Sequence, residues 1–89
     1  MLDIERSRQF EKDFKLAKKR GKKFEKLWNI LELLSNGEPL PPRCRPHKLT
    51  GNMNGYWECH IEPDFLLIYD YTPGKLHLLR LGAHADLFK

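Results

Sequence analysis

Four histidines, His47, His60, His77 and His84, stand in a chain of 89 residues, and imidazole is the side chain whose unperturbed proton equilibrium lies nearest neutrality. His47 closes a proline-rich loop, His60 falls on the polar side of an expected strand, and His84 follows the last strand. Asp64 occupies the turn after His60, and Arg80 precedes His84 by four residues. Brought together on one sheet face, these groups suit cleavage of an RNA phosphodiester by its own 2′-hydroxyl. That reaction needs a base for the 2′-OH proton, an acid for the departing 5′-oxygen, and a cation for the charge that builds on phosphorus. Imidazoles fill the first two roles near pH 7, and the guanidinium of Arg80, always charged and matched to phosphate, fills the third. Phe88 supplies a ring on which an unstacked base can rest.

Each of these residues has a plainer rival reading. A histidine on a small domain, taken alone, is most often a surface or hydrogen-bonded structural residue. Arg80 can pair with Asp64, Asp70 or Glu58, Phe88 can plug the C-terminal end of the core, and Asp64 after Pro63 fits a turn for backbone reasons alone. His77, on the opposite side of its strand, is read as structural. Zinc held by His47, His60, Asp64 and His84 is a further chemical reading, weakened because no two histidines are spaced as a metal motif would space them; neither a metal nor another cofactor is expected. Cys44 and Cys59 allow at most one disulfide and lack the C-x-x-C spacing, so they read as two ordinary thiols in a reducing compartment.

The elements that must position these groups follow from periodicity. Residues 2–6 alternate apolar and polar as a strand does. Ser7 can cap a helix running to about Arg20, with Phe10, Phe14 and Ala17 at helical spacing, a basic last turn and Gly21 as its stop. In a second helix Phe24, Leu27, Trp28, Leu31 and Leu34 form one stripe, widened by Ile30 and Leu33, and Asn36-Gly37 ends it. The short link between the helices demands an antiparallel hairpin. Pro39, Pro41, Pro42 and Pro46 make the next segment an irregular loop. Three strands, 55–61, 65–71 and 75–81, are joined by turn-rich separators into a meander, with loop 47–54 leading in. The first of these three places Trp57, Cys59 and Ile61 on one side and Tyr56, Glu58 and His60 on the other. In the last strand Leu76, Leu78 and Arg80 share a side and His77, Leu79 and Leu81 the other; apolar residues on both sides point to double coverage or a bulge near Arg80. The expected architecture is α+β, with the order β-α-α-β-β-β: a helical hairpin on one face of a four-stranded, mainly antiparallel sheet, in a single domain spanning 1–89.

Composition narrows the classes. Hydrophobic residues at 40% and charged residues at 31% belong to a globular chain rather than a disordered one. The longest apolar run, 65–69, is far short of the roughly 20 residues a bilayer demands, and Asp3, Glu5, Arg6 and Arg8 interrupt any secretory h-region, so no membrane association and a cytoplasmic location are expected. Residues 1–48 hold thirteen of the sixteen Lys and Arg against seven acids, while residues 49–89 hold three against five. The densest part, Lys18, Lys19, Arg20, Lys22 and Lys23, is a face for a polyanion or an acidic protein segment, or simply a solvated helix surface.

Taken together, His47-x-Leu49-x-Gly51, His60-x-x-Pro63-Asp64 and Arg80-x-Gly82-x-His84, with the Phe10-x-x-Asp13-x-Lys15 pattern of the first helix, closely resemble the YafQ-type branch of the RelE/ParE toxin superfamily over essentially the whole chain. The resemblance implies a RelE-like fold and a toxin that cleaves messenger RNA in the ribosomal A site without a cofactor. It further implies contact with ribosomal RNA, silencing by a cognate antitoxin, and contact with operator DNA only through that antitoxin. The family's catalytic cluster falls on His47, His60, Asp64 and His84, with His84 as proton donor, and the RNA-contacting set on Arg80, Phe88, Phe65 and Lys48. Relatives often carry Trp where Phe65 stands, so stacking survives there but an indole N–H donor does not. The basic hairpin residues Lys18, Lys19, Arg20, Lys22 and Lys23 become a ribosome-docking patch. The alternative within the superfamily is a binding toxin or corepressor of the gyrase-poisoning kind, which does not need the histidines.

Overall fold

The computed structural model describes residues 1–51 and 55–88; the part of the 47–54 loop from 52 to 54 lies outside the described residues. Strand β1 (Asp3–Arg6) leads into α1 (Arg8–Lys19) and α2 (Glu25–Ser35), then a 3₁₀ turn at Pro42–Cys44, followed by β2 (His47–Lys48), β3 (Trp57–Glu62), β4 (Phe65–Thr72), β5 (Lys75–Gly82) and the short helix α3 (His84–Leu87). The sheet order is β1-β5-β4-β3-β2, with β1 parallel to β5 and the other pairs antiparallel. Among the described residues there are thus five strands rather than four. The addition is the two-residue β2, which pairs His47 with Glu58 and Lys48 with Trp57 and is too short to show alternation in the sequence.

Ser7 begins α1 as its sequence suggests. Its hydroxyl oxygen accepts the Phe10 N–H at 2.9 Å, and the same hydroxyl donates to the Leu79 carbonyl at 2.9 Å, fastening the helix start to β5. Phe10, Asp13 and Ala17 form the buried stripe of α1, and Gly21, at φ 78°, terminates it in the left-handed conformation. On α2 the buried positions are Leu27, Ile30, Leu31, Leu34 and Ser35. Trp28, expected in that stripe, is half exposed and packs instead on Phe14 and Phe24 with ring centroids 5.9 and 5.8 Å away.

The main core lies between the hairpin and the sheet, where Leu27, Ile30 and Leu34 meet Cys59, Ile61, Phe65, Leu67, Leu76, Leu78 and Leu81. Burial of each such aliphatic side chain contributes roughly 1.5–3 kcal/mol. Cys44 and Cys59 are free and buried in this core, and burial pushes the Cys59 thiol up to about 12, so it stays protonated at neutral pH. Residues Phe65 to Tyr69 of β4 are buried without interruption because the sheet is covered on both sides. On the side away from the hairpin, Leu87 of α3 packs on Leu66 and Ile68, with Leu49 and Leu79 at the margin. The face that reads as polar in the sequence therefore carries a small apolar floor of its own.

The expected irregularity near Arg80 is present. Ile68 pairs with Arg80 but Tyr69 pairs with Leu78, which leaves Leu79 as the extra residue of a β-bulge. Leu78 and Leu81 both enter the hairpin-side core, and Leu79 and Arg80 fall on the opposite side. Simple alternation places Arg80 with Leu76 and Leu78 and puts Leu81 across from them; the bulge reverses both.

Candidate functional site

Pairing across the sheet aligns the chemistry. His47 of β2 lies opposite Glu58 of β3, Glu58 opposite Ile68 of β4, and Ile68 opposite Arg80 of β5, so three polar groups and one apolar spacer form a single row. Partners in adjacent strands share a face. This row and the neighbouring one, His60 opposite Leu66 opposite Gly82, run along the side of the sheet away from the hairpin.

Glu58 is the centre of one half of the site. Its side chain is buried and lies between two imidazoles, with Oε1 3.4 Å from His47 Nε2 and 3.9 Å from His60 Nε2. Each ring is oriented from behind by a backbone carbonyl, that of Arg45 at 2.8 Å from His47 Nδ1 and that of Pro63 at 3.3 Å from His60 Nδ1. With both Nδ1 atoms donating to carbonyls, both Nε2 atoms face one carboxylate. The sequence alone offers Glu58 only as a rival partner for Arg80.

The other half of the site is Asp64 and His84. Asp64 Oδ1 accepts both the backbone N–H of His84 and its Nδ1–H, each at 2.9 Å. These two donors, the backbone one foremost, hold the Asp64 carboxyl below its ordinary value. An ionised Asp64 fixes the Nδ1–H tautomer of His84 and leaves Nε2 free. The rings of His60 and His84 are 5.9 Å apart, and Phe88, 42% exposed, is 6.1 Å beyond His84. The four residues expected to cluster thus form two connected pairs joined by the approach of His60 to His84.

Arg80 pairs with none of the acids expected. Its side chain turns over the edge of β5 that β1 leaves uncovered and reaches Asp13 of α1, with Nε 2.8 Å from Oδ2 and Nη2 3.4 Å from Oδ1. Asp13 is itself buried and also accepts the Leu81 N–H at 3.0 Å.

Two residues of the expected RNA-contacting set lie elsewhere. Phe65 is 2% exposed in the hairpin-side core, with the Lys22 ammonium 5.0 Å from its ring centroid; strand alternation sends it to the same side as Leu67 and Tyr69, away from the histidines. Lys48, opposite Trp57 and with Nζ 5.6 Å from that ring, projects to the side opposite His47. In the basic hairpin all five residues are exposed, but Arg20 is held by Asp86 at 2.8 Å and Lys22 by Glu62 at 3.4 Å. His77 bonds Thr72 at 2.7 Å, apart from the cluster.

A helical hairpin over one face of a mixed, mainly antiparallel sheet, with its polar groups gathered on the other, is the RelE-like α+β fold. The family described as a bacterial toxin of type II toxin–antitoxin systems, YafQ, matches residues 2–89, and the chain belongs to that family. It is 47% identical over 87 residues to the mRNA interferase toxin YafQ of Escherichia coli K12, covering 97% of this chain and 95% of that one. Among solved structures, a copper-bound mutant toxin from Helicobacter pylori superposes with a TM-score of 0.95 at 38% identity, covering 99% of this chain and 100% of the other. The E. coli DinJ–YafQ toxin–antitoxin complex superposes with a TM-score of 0.89 at 46% identity, covering 99% and 98%. Among the described residues, no group of three or more His, Cys, Asp or Glu side chains is placed to hold a metal ion.

Proposed function

We propose that this protein is an endoribonuclease that cuts messenger RNA in the ribosomal A site and is silenced by a cognate antitoxin. The observation that carries the reading is the approach of the His47–Glu58–His60 group to the Asp64–His84 pair on one sheet face. Support comes from the E. coli relative, an mRNA interferase toxin, and from the relative solved in complex with its antitoxin DinJ.

In this reading the 2′-hydroxyl loses its proton to the His47–Glu58–His60 group as its oxygen attacks phosphorus. The P–O5′ bond breaks, and the departing oxygen takes a proton from His84. Products are a 2′,3′-cyclic phosphate and a free 5′-hydroxyl. Asp64 keeps His84 in the orientation in which Nε2 faces the substrate and stabilises its imidazolium before transfer. Arg80 faces the charge building on the non-bridging oxygens, and Phe88 supports the base beside the cut. The protein acts at the ribosome through its basic hairpin.

The deciding experiment supplies protein, ribosomes and a programmed message whose nucleotide 5′ to the cut is ribose or 2′-deoxyribose. Cutting of the first and survival of the second is the expected result; cutting of both excludes internal attack.

A further inference from the structure

A second cationic surface begins where the histidine cluster ends. Lys26, Arg43, Arg45, His60, Glu62 and Pro63 line a cleft of 300 Å³ on the far side of His60. Three permanent cations face one carboxylate there, and Glu62 is already shared between Lys22 at 3.4 Å and Lys26 at 3.6 Å. Arg43 and Arg45 are exposed, and neither makes an ion pair among the described residues. Arg45 is also the one described residue other than glycine with positive φ, at 47°, a conformation that costs energy unless its surroundings hold it. The His47 ring holds it here, donating Nδ1–H to the Arg45 carbonyl at 2.8 Å. The proline loop thus aims two arginines at the cleft and, through the same backbone, orients a histidine of the cluster.

We propose that this cleft binds a phosphate of the RNA strand flanking the scissile one, with Arg43 and Arg45 as its ligands. The inference rests on the ribonuclease reading for the direction of the strand. Guanidinium donors in a planar fork match phosphate oxygens, and His60 lines both the cleft and the cluster, so one strand can occupy the two without leaving the surface. An acidic segment of a protein partner is the other polyanion such a surface could take, and the test separates them.

The test measures the affinity of the full-length protein for ribosomes programmed with short synthetic messages. Each message is 2′-deoxy at the cut site, so that it survives, and carries a neutral methylphosphonate at one phosphate in turn. Wild type should lose affinity on the order of tenfold when one of the two phosphates flanking the scissile one is neutralised. The variant Arg43→Gln/Arg45→Gln should bind the unmodified message about as weakly and lose nothing further from that neutralisation, whereas Arg43→Lys/Arg45→Lys should keep the sensitivity. Equal losses in wild type and the Gln variant, or no flanking phosphate that matters, would overturn the proposal. So would a Gln variant weakened only toward an acidic protein partner. Because binding of an uncut message is read, failure of wild type to cut a ribose message would overturn the ribonuclease reading without obscuring this result.

Discussion

Asp13 grips Arg80 across the open edge of β5, with Oδ2 2.8 Å from Nε and Oδ1 3.4 Å from Nη2, while also accepting the Leu81 N–H at 3.0 Å. A carboxylate on the hairpin thereby sets the position of the cation on the opposite face. Nη1 and the remaining Nη2 proton stay available to a phosphate.

Asp13→Asn should therefore reduce cutting by about a hundredfold, the usual consequence of a misplaced charge at a reacting centre, and lower stability by about 1–3 kcal/mol through the weakened buried bonds. The reduction in kcat should vanish in an Arg80→Ala background, since Asp13 acts through Arg80. A full additional loss in that background would show that Asp13 matters only for folding. Urea denaturation and single-turnover cutting, measured on the same four proteins, separate the two effects.

Asp64 and His84 give a pH prediction with a definite sign. The Asp64 carboxyl is held below its ordinary value by the two N–H groups of His84, so its folded-state proton affinity is lower than its unfolded one. The stabilisation it brings is fully present above the ordinary carboxylate range and is lost as pH falls through the lowered folded value. Asp64→Asn should lower stability in the neutral region and so flatten the acid side of the profile, the two proteins converging once pH falls below the lowered folded value. The carboxyl carbon signal of Asp64, followed by NMR, should titrate below that of a model aspartate; a midpoint at or above it would contradict the assigned hydrogen bonds.

Glu58 predicts non-additivity. His47 and His60 share its carboxylate, so removing either imidazole disables a common unit and removing the second costs less than the first. His47→Ala and His60→Ala should each lower kcat, and the double variant should fall short of the product of the two by a coupling of about 0.5–3 kcal/mol. Glu58→Gln, which keeps the shape but not the charge, should abolish that coupling. Strictly multiplicative losses would mean that the rings act independently.

Much of this site is legible in the residues. His47, His60, Asp64 and His84 come together because the turn and strand punctuation around them is strong, and the bulge near Arg80 shows itself as leucines on both sides of β5. Glu58 escapes because its role depends on β2, a two-residue strand with no periodicity to read; the available signal is an acid two positions before His60 on the same side. Asp13 leaves a clearer trace, as the one acid on the buried stripe Phe10, Asp13, Ala17 of α1. Phe65 is misplaced when the family resemblance, in which a Trp follows the Pro-Asp pair, outweighs alternation, and alternation puts Phe65 with Leu67 and Tyr69 in the core.

The pairing of Arg20 with Asp86 and of Lys22 with Glu62 divides the basic hairpin by function. Lys18, Lys19 and Lys23 have no ion-pair partner among the described residues and, in the proposed reading, are available to meet ribosomal RNA, whereas Arg20 is tied to Asp86 of the helix that carries His84. Neutralising Lys18, Lys19 and Lys23 should reduce the slope of log affinity against log salt by about two to three, roughly 0.7–0.9 for each phosphate no longer neutralised, with the fold intact. Arg20→Gln should behave otherwise. Asp86 accepts the Ala83 N–H at 3.1 Å at the start of α3, so loosening its partner should disturb His84 and lower kcat with little change in salt slope. A salt-dependent binding titration run beside single-turnover cutting assigns each residue to docking or to positioning. If Arg20→Gln changed the slope as much as one of the lysines and left kcat alone, the tether would have no part in holding His84.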